Sequence, residues 1–146
     1  LTLLDSLNKR IDFLKEVCED LGLNDVECIH GRAEEFASNH RESYDIVTSR
    51  AVANLPVLSE YCLPFVKVGG RFIALKGPDA DRERAEAARG IGVLGGRIAA
   101  VTALTLPATP IEGVEPMERR LVRVDKGRPT PATYPRHGSK IAKKPL

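Results

Sequence analysis

No run of apolar residues in this sequence approaches the roughly 20 needed to cross a bilayer as a helix. Residues Leu1 to Arg10 also lack the basic and then apolar order of a secretory signal. These absences predict a cytoplasmic protein with no membrane segment. The three cysteines, Cys18, Cys28 and Cys62, are far apart and form no CxxC pair. A zinc site and a disulfide framework are therefore not expected, and the thiols should be reduced and packed. His30, His40 and His137 show no ligand spacing among themselves or with the cysteines, so no metal is predicted. No serine, cysteine or histidine sits in a nucleophile elbow or a triad setting, and no Walker-type loop is present. Gly90, Gly92, Gly95 and Gly96 do not open a helix after a strand and read as a turn. Tyr44, Tyr61 and Tyr134 are followed four residues on by Thr48, Phe65 and Gly138, so the Tyr-x-x-x-Lys pair of nicotinamide-dependent enzymes is missing. Covalent catalysis, nucleotide hydrolysis and hydride transfer all lose ground, and no internal repeat is found.

What is present fits one globular domain. A chain of 146 residues, 42% hydrophobic and 29% charged, can bury a core around a parallel sheet. Net charge is only +2, but it is unevenly placed. From Lys126 onward the chain carries Lys126, Arg128, Arg136, Lys140, Lys143 and Lys144 with no acidic residue, leaving 16 basic against 20 acidic residues in positions 1–125. A basic tail on an acidic body suits a polyanion, because Lys and Arg gain affinity by displacing counterions from phosphates. A merely solvated tail is the alternative.

The first apolar run, Thr2-Leu3-Leu4, begins without an initiator Met, as if the chain started inside a strand. Leu7, Ile11, Leu14, Val17, Cys18 and Leu21 then recur at helical spacing, and Gly22 follows as a stop. A second strand is predicted from Val26 to His30, with one or two helical turns over Ala33–Ala37. A third strand follows at Tyr44–Ser49 and a helix from Val57 to Val66, terminated by Val68-Gly69-Gly70. A strand at Arg71–Leu75 precedes a helix over Asp79–Arg89, which should dissolve into the glycines at 90–96. Strands at Arg97–Leu106 and Arg119–Asp125, joined by a Pro-containing loop, have no helix between them. Strands alternating with helices imply a doubly wound, Rossmann-like α/β sheet, and the last two imply an antiparallel edge. Residues 1–125 make the domain. Residues 126–146, with four prolines and no periodicity, make a tail that stays extended and partly disordered unless it docks.

Ligands of open α/β sheets bind outside the carboxyl ends of the strands, which here are Asp5, His30 to Glu34, Ser49 to Asn54, and Lys76-Gly77. A carboxylate such as Asp5 can accept two hydrogen bonds from ribose hydroxyls, or simply cap the helix that follows. Ser6 and Asn8 can cap it instead. Glu34 and Glu35 fit a surface for a purine, or are ordinary first-turn carboxylates. Arg50 can grip a carboxylate or phosphate, or pair with the body of the protein. Lys76 can meet a phosphate or be a plain surface amine.

Read in order, Leu3-Leu4-Asp5-Ser6-Leu7-Asn8-Lys9-Arg10, Gly31-Arg32-Ala33-Glu34-Glu35, the stretch from Asp45 to Ala53, Tyr61-Cys62-Leu63-Pro64 and Ala74-Leu75-Lys76-Gly77 resemble one family. Tyr134-Pro135-Arg136 and Lys143-Lys144-Pro145-Leu146 complete the match. It is the bacterial ribosomal RNA small-subunit methyltransferase G family, also called glucose-inhibited division protein B. The resemblance implies a class I methyltransferase fold that uses S-adenosylmethionine to methylate N7 of a guanine in 16S ribosomal RNA. Asp5 would take the ribose with Ser6 beside it, Ala33 and Glu34 would contact the adenosine portion, and Arg50 would belong to the cofactor and substrate pocket. Lys76, Arg136, Lys143 and Lys144 would face RNA. No general base is expected, because guanine N7 has a free lone pair, and the protein should act as a monomer on the small subunit. The family's first strand and its Gly-rich loop, which would cradle the methionine end of the cofactor, have no counterpart in the sequence, so the chain reads as N-terminally truncated and could be inactive alone. Two other readings remain: a small-molecule methyltransferase of the same fold, which would have no use for the basic tail, and a non-catalytic RNA-binding fragment.

Overall fold

The computed structural model describes residues 1–50, 52–108 and 115–146. Ala51, and residues 109–114 of the loop expected between the last two strands, lie outside the described residues. Contacts divide the chain into two compact units, Leu1–Asn39 and His40–Leu146.

The first unit is a strand–helix–strand crossover with a short helix appended: β1 (Thr2–Asp5), α1 (Asn8–Asp20), β2 (Glu27–His30) and α2 (Ala33–Phe36). The strands run parallel in register from Thr2 opposite Glu27 to Asp5 opposite His30. α1 follows the predicted apolar stripe, burying Ile11 and Cys18, while Phe13 on another face stays 62% exposed. Its end is a Schellman closure, in which the Leu23 amide donates to Cys18 O and the Gly22 amide to Glu19 O.

The second unit contains β3 (Tyr44–Arg50), α3 (Leu55–Cys62), β4 (Val66–Lys76), α4 (Ala80–Val93), β5 (Gly96–Leu106), β6 (Met117–Lys126) and α5 (Gly138–Lys143). Its sheet has the order β3-β4-β6-β5. β3 and β4 are parallel, joined through α3, and β6 is antiparallel to both neighbours. The expected edge hairpin is therefore present, with its second strand inserted beside β4 and β5 left outermost. Phe72 and Ala74 of β4 and Val122 and Val124 of β6 project to one face and pack against Leu58 of α3 and Ile91 of α4, all essentially inaccessible. No described element of this unit covers the opposite face, where Ile46 is 56% exposed and Arg50, Arg71 and Arg123 are also exposed. No helix among the described residues is long and apolar enough to cross a membrane.

Three local expectations change. The predicted helix to Val66 stops at Cys62, where Pro64 diverts the chain into a 3-10 turn over Leu63–Phe65. Val66 instead opens an eleven-residue strand. Gly69-Gly70, read as a helix stop, forms a bulge within that strand, since the pairing jumps from Tyr44 opposite Val66 to Ile46 opposite Arg71. A Cβ on Gly70 would lie 2.5 Å from Asp45 O. α4 also runs straight through Gly90 and Gly92. Glycine in a helix costs about 1 kcal/mol, but a Cβ on Gly90 would meet Leu146 Cβ at 2.7 Å, so the missing side chain makes room for the end of the chain. The true stop is Gly95, with φ of +86° and the Arg128 carbonyl where a Cβ would be.

The segment 126–146, predicted to be extended unless docked, is docked. Ile141 of α5 is fully buried, and Arg41 donates to the carbonyls of Tyr134, Thr130 and Pro131. Thr130 N–H donates to Glu42 Oε1 at 2.8 Å, and its hydroxyl donates to Leu94 O at 2.8 Å. Lys126, with a side chain at 0% exposure, gives its ammonium protons to Leu63 O, Val66 O and Thr130 Oγ1 and sits 3.2 Å from Glu42 Oε1. Arg136 forks onto Glu60, whose side chain is also at 0% exposure, with Nη2 to Oε2 at 2.6 Å and Nε to Oε1 at 2.8 Å. The Arg136 amide adds a third bond to Glu60 Oε1. Removing one member of such a pair strands the other. Arg136→Ala, which leaves the Glu60 carboxylate buried, should lower the unfolding free energy by about 3 kcal/mol. The double variant Arg136→Ala/Glu60→Leu should recover part of that loss in urea titrations, whereas simple additivity would show the pair to be uncoupled.

Candidate functional site

In the first unit, parallel pairing brings the carboxyl ends of β1 and β2 side by side, so Asp5 and Ser6 lie beside His30 and Gly31, and α2 starts two residues further on. The Gly31 amide donates to Asp5 O at 3.0 Å, and His30 Nε2 is 3.1 Å from Ser6 O, which requires the proton on that nitrogen. Asp5 does not cap α1. Leu7 occupies the cap position, with no side-chain cap bond, and Asp5 Oδ1 instead accepts the Leu7 amide at 2.8 Å in an Asx-type turn. Its Oδ2 accepts Arg10 Nη1 at 3.2 Å. Each oxygen of an ionised carboxylate has two acceptor positions, so beyond the Leu7 and Arg10 bonds and a weaker contribution from the Ser6 amide, acceptor capacity remains among the described residues for a further donor. A pair of adjacent hydroxyls is a chemically suitable match.

Ala33 and Glu34 open α2 and are half-buried, while Glu35 is exposed. Their amides belong to the first turn of a helix and so make no intrahelical bond. Arg32 precedes them in extended conformation without capping the turn by its side chain.

In the second unit, Arg50 ends β3 opposite Leu75, one residue before Lys76 ends β4, so both basic residues stand at the carboxyl ends of parallel neighbours. Arg50 is exposed and has no carboxylate partner among the described residues. Lys76 differs. Its ammonium lies 2.8 Å from Glu83 Oε2 and donates to Ala53 O at 2.8 Å, with the side chain 10% exposed. Arg136, also expected to face RNA, is committed to Glu60. Lys143 and Lys144 are exposed at the end of α5 and form no ion pair among the described residues. Of the six basic residues of the tail, Lys126 and Arg136 thus serve the interior, and the charge available to a partner is smaller than the sequence count.

The cysteines are all free thiols, and burial pushes Cys62 up to about 12, which makes it an inert part of the core. Among the described residues no cluster of three or more His, Cys, Asp or Glu could hold a metal ion.

The profile of the family described as rRNA small subunit methyltransferase G matches residues 1–111. The chain belongs to that family. Ribosomal RNA small subunit methyltransferase G of Clostridium perfringens (strain 13 / Type A) is 52% identical over 147 residues, covering 99% of this chain and 59% of the relative. The protein of the same name from Alkaliphilus metalliredigens (strain QYMF) is 50% identical over 148 residues, covering 100% of this chain and 59% of the relative. The chain therefore spans about 59% of the length of these curated relatives. Among solved structures, a putative methyltransferase from Thermoplasma acidophilum superimposes with a TM-score of 0.64 at 15% identity, covering 87% of this chain and 57% of that one. An rRNA methylase from Streptococcus thermophilus gives 0.54 at 19% identity, covering 87% and 73%. Likeness at these identities establishes the methyltransferase fold.

The Asp5 carboxyl carries a pH signature. Burial, the largest influence, pushes its pKa up, but the Leu7 amide, the Arg10 hydrogen bond and the Arg10 charge together hold it below the ordinary 3.8. A carboxyl whose folded pKa lies below its unfolded one stabilises the protein above the unfolded value and loses that contribution as pH falls through the folded value. The thermal midpoint of wild type should therefore exceed that of Asp5→Asn at about pH 6, and the gap should close as pH drops below about 4. A gap that stays constant across that range would mean that side-chain shape, not charge, holds the turn.

Proposed function

We propose that this chain serves the S-adenosylmethionine-dependent methylation of guanine N7 in 16S ribosomal RNA, acting in the cytoplasm on the small ribosomal subunit. Family membership over residues 1–111 carries this reading. The geometry supports it at two places. Asp5 presents unfilled acceptor positions at the end of β1, in the setting where an open α/β sheet receives a ribose. Arg50 presents an exposed guanidinium, with no carboxylate partner among the described residues, at the end of β3.

Bound S-adenosylmethionine supplies an electrophilic methyl group on a sulfonium sulfur, and guanine N7 offers its lone pair without losing a proton. The residues of this chain then have binding and alignment to perform rather than proton transfer. Asp5 orients the ribose through its remaining lone pairs, with Ser6 beside it. The first-turn amides at Ala33 and Glu34, with the Glu34 side chain, border the adenine. Arg50 faces the cofactor carboxylate or a substrate phosphate, either of which matches its fork. Lys143 and Lys144 supply sequence-independent attraction to the RNA backbone. Lys76 and Arg136 are left out of the RNA contact, because each already has a carboxylate partner.

Calorimetric titration of S-adenosylhomocysteine into the chain, and into the protein extended to the length of its relatives, tests the cofactor reading. Binding by the extended protein, weakened at least about tenfold by Asp5→Ala through loss of hydrogen bonds to a charged group, is the expected result. Absence of binding by either form would overturn it. Transfer of labelled methyl to small-subunit RNA, with the product mapped as 7-methylguanine, tests the substrate, and label found only in small molecules would favour the small-molecule alternative.

A further inference from the structure

Lys76 and Glu83 form a contact that the reading above leaves unused. One oxygen of Glu83, Oε2, receives the Lys76 ammonium at 2.8 Å and also accepts the Leu55 amide at 2.6 Å. The same ammonium donates to Ala53 O at 2.8 Å. The backbone from Ala53 to Leu55 is thus held at its carbonyl by a cation from the end of β4 and at its amide by an anion from the first turns of α4. Asn54, between them, caps α3 by accepting the Val57 amide at 3.3 Å.

The pair is poorly placed to bind a ligand directly, because its side chains are only 10% and 14% exposed and its charges face each other. A pure stability device is also a weak description, since a buried ion pair recovers little more than its own desolvation. What the pair does specify is position. The backbone it holds begins three residues after Arg50, which ends β3 beside the end of β4, where open α/β sheets receive their ligands. An unclamped connection would let that wall shift, and displacement of about 1 Å can cost on the order of a hundredfold in an alignment-driven reaction.

We propose that Lys76 and Glu83 are positioning residues for methyl transfer, fixing the Ala53–Leu55 backbone against which the target base is aligned. This rests on the methyltransferase reading. The double variant Lys76→Met/Glu83→Met removes both charges together, so that neither is stranded. Two readouts decide the matter. Amide exchange at Leu55, measured in this chain by NMR, should accelerate at least about tenfold as its acceptor is lost. In the protein extended to the length of its relatives, kcat on small-subunit RNA should fall at least about tenfold while KM for S-adenosylmethionine stays within about twofold. If the double variant does not fold, Glu83→Gln, which keeps the volume and an acceptor for Leu55, takes the kcat and KM measurements, with an expected loss in kcat of about threefold or more. Unchanged kcat in an otherwise active protein, or unchanged exchange at Leu55 in the folded double variant, overturns the inference. A wild-type protein that transfers no methyl instead overturns the methyltransferase reading, and the exchange measurement still decides whether the clamp exists.

Discussion

The second unit is organised around the buried Lys126 ammonium. Its three protons are shared among Leu63 O at the turn after α3, Val66 O at the start of β4, Thr130 Oγ1 beyond β6, and the Glu42 carboxylate before β3. Burial pulls its pKa down, and Glu42 pushes it back up. The cost of desolvating the cation is offset only when all of these acceptors are in place, so the ammonium fixes where three separate stretches of chain, at Glu42, Leu63–Val66 and Lys126–Thr130, meet. Thr130 extends the arrangement by passing its own proton to Leu94 O at the end of α4. Arg41, next to Glu42, then holds the carbonyls that follow Thr130.

This places two buried lysines at opposite ends of one sheet. Lys126 binds the end where β4 begins and β6 finishes, and Lys76 binds the end where β3 and β4 finish. The first gathers chain segments far apart in sequence and serves the fold. The second holds a short connection that follows the exposed Arg50 and serves the candidate site. Both are lysines in β-strands that face the helical layer, and only their partners separate the two roles.

Much of this was readable from sequence where the signal was periodic or punctuated. The α1 stripe, the strand over Arg71–Leu75, and the placing of Asp5 and Arg50 just past strands follow from spacing and from the rule for ligand position in open sheets. The family also followed from short segments in order, and the profile match supports it. Glycines misled the reading wherever their purpose was tertiary: Gly90 makes room for Leu146, and Gly70 lets two strands approach, neither of which a local pattern can reveal. The basic tail misled it for a related reason. Charge counting treats every Lys and Arg as solvated, and nothing near Lys126 or Arg136 in sequence announces Glu42 or Glu60, whose positions are 84 and 76 residues away. Glu60 is the one charged residue of a mostly apolar helix, and that isolated carboxylate was the available hint of a buried partner.

The long sequence separation of these pairs bears on how fast the second unit folds. Lys126 and Arg136 meet Glu42 and Glu60 across 84 and 76 residues. Closing loops of that length costs chain entropy before the contacts return anything, so this unit is expected to fold slowly for its size, as proteins rich in non-local pairings do.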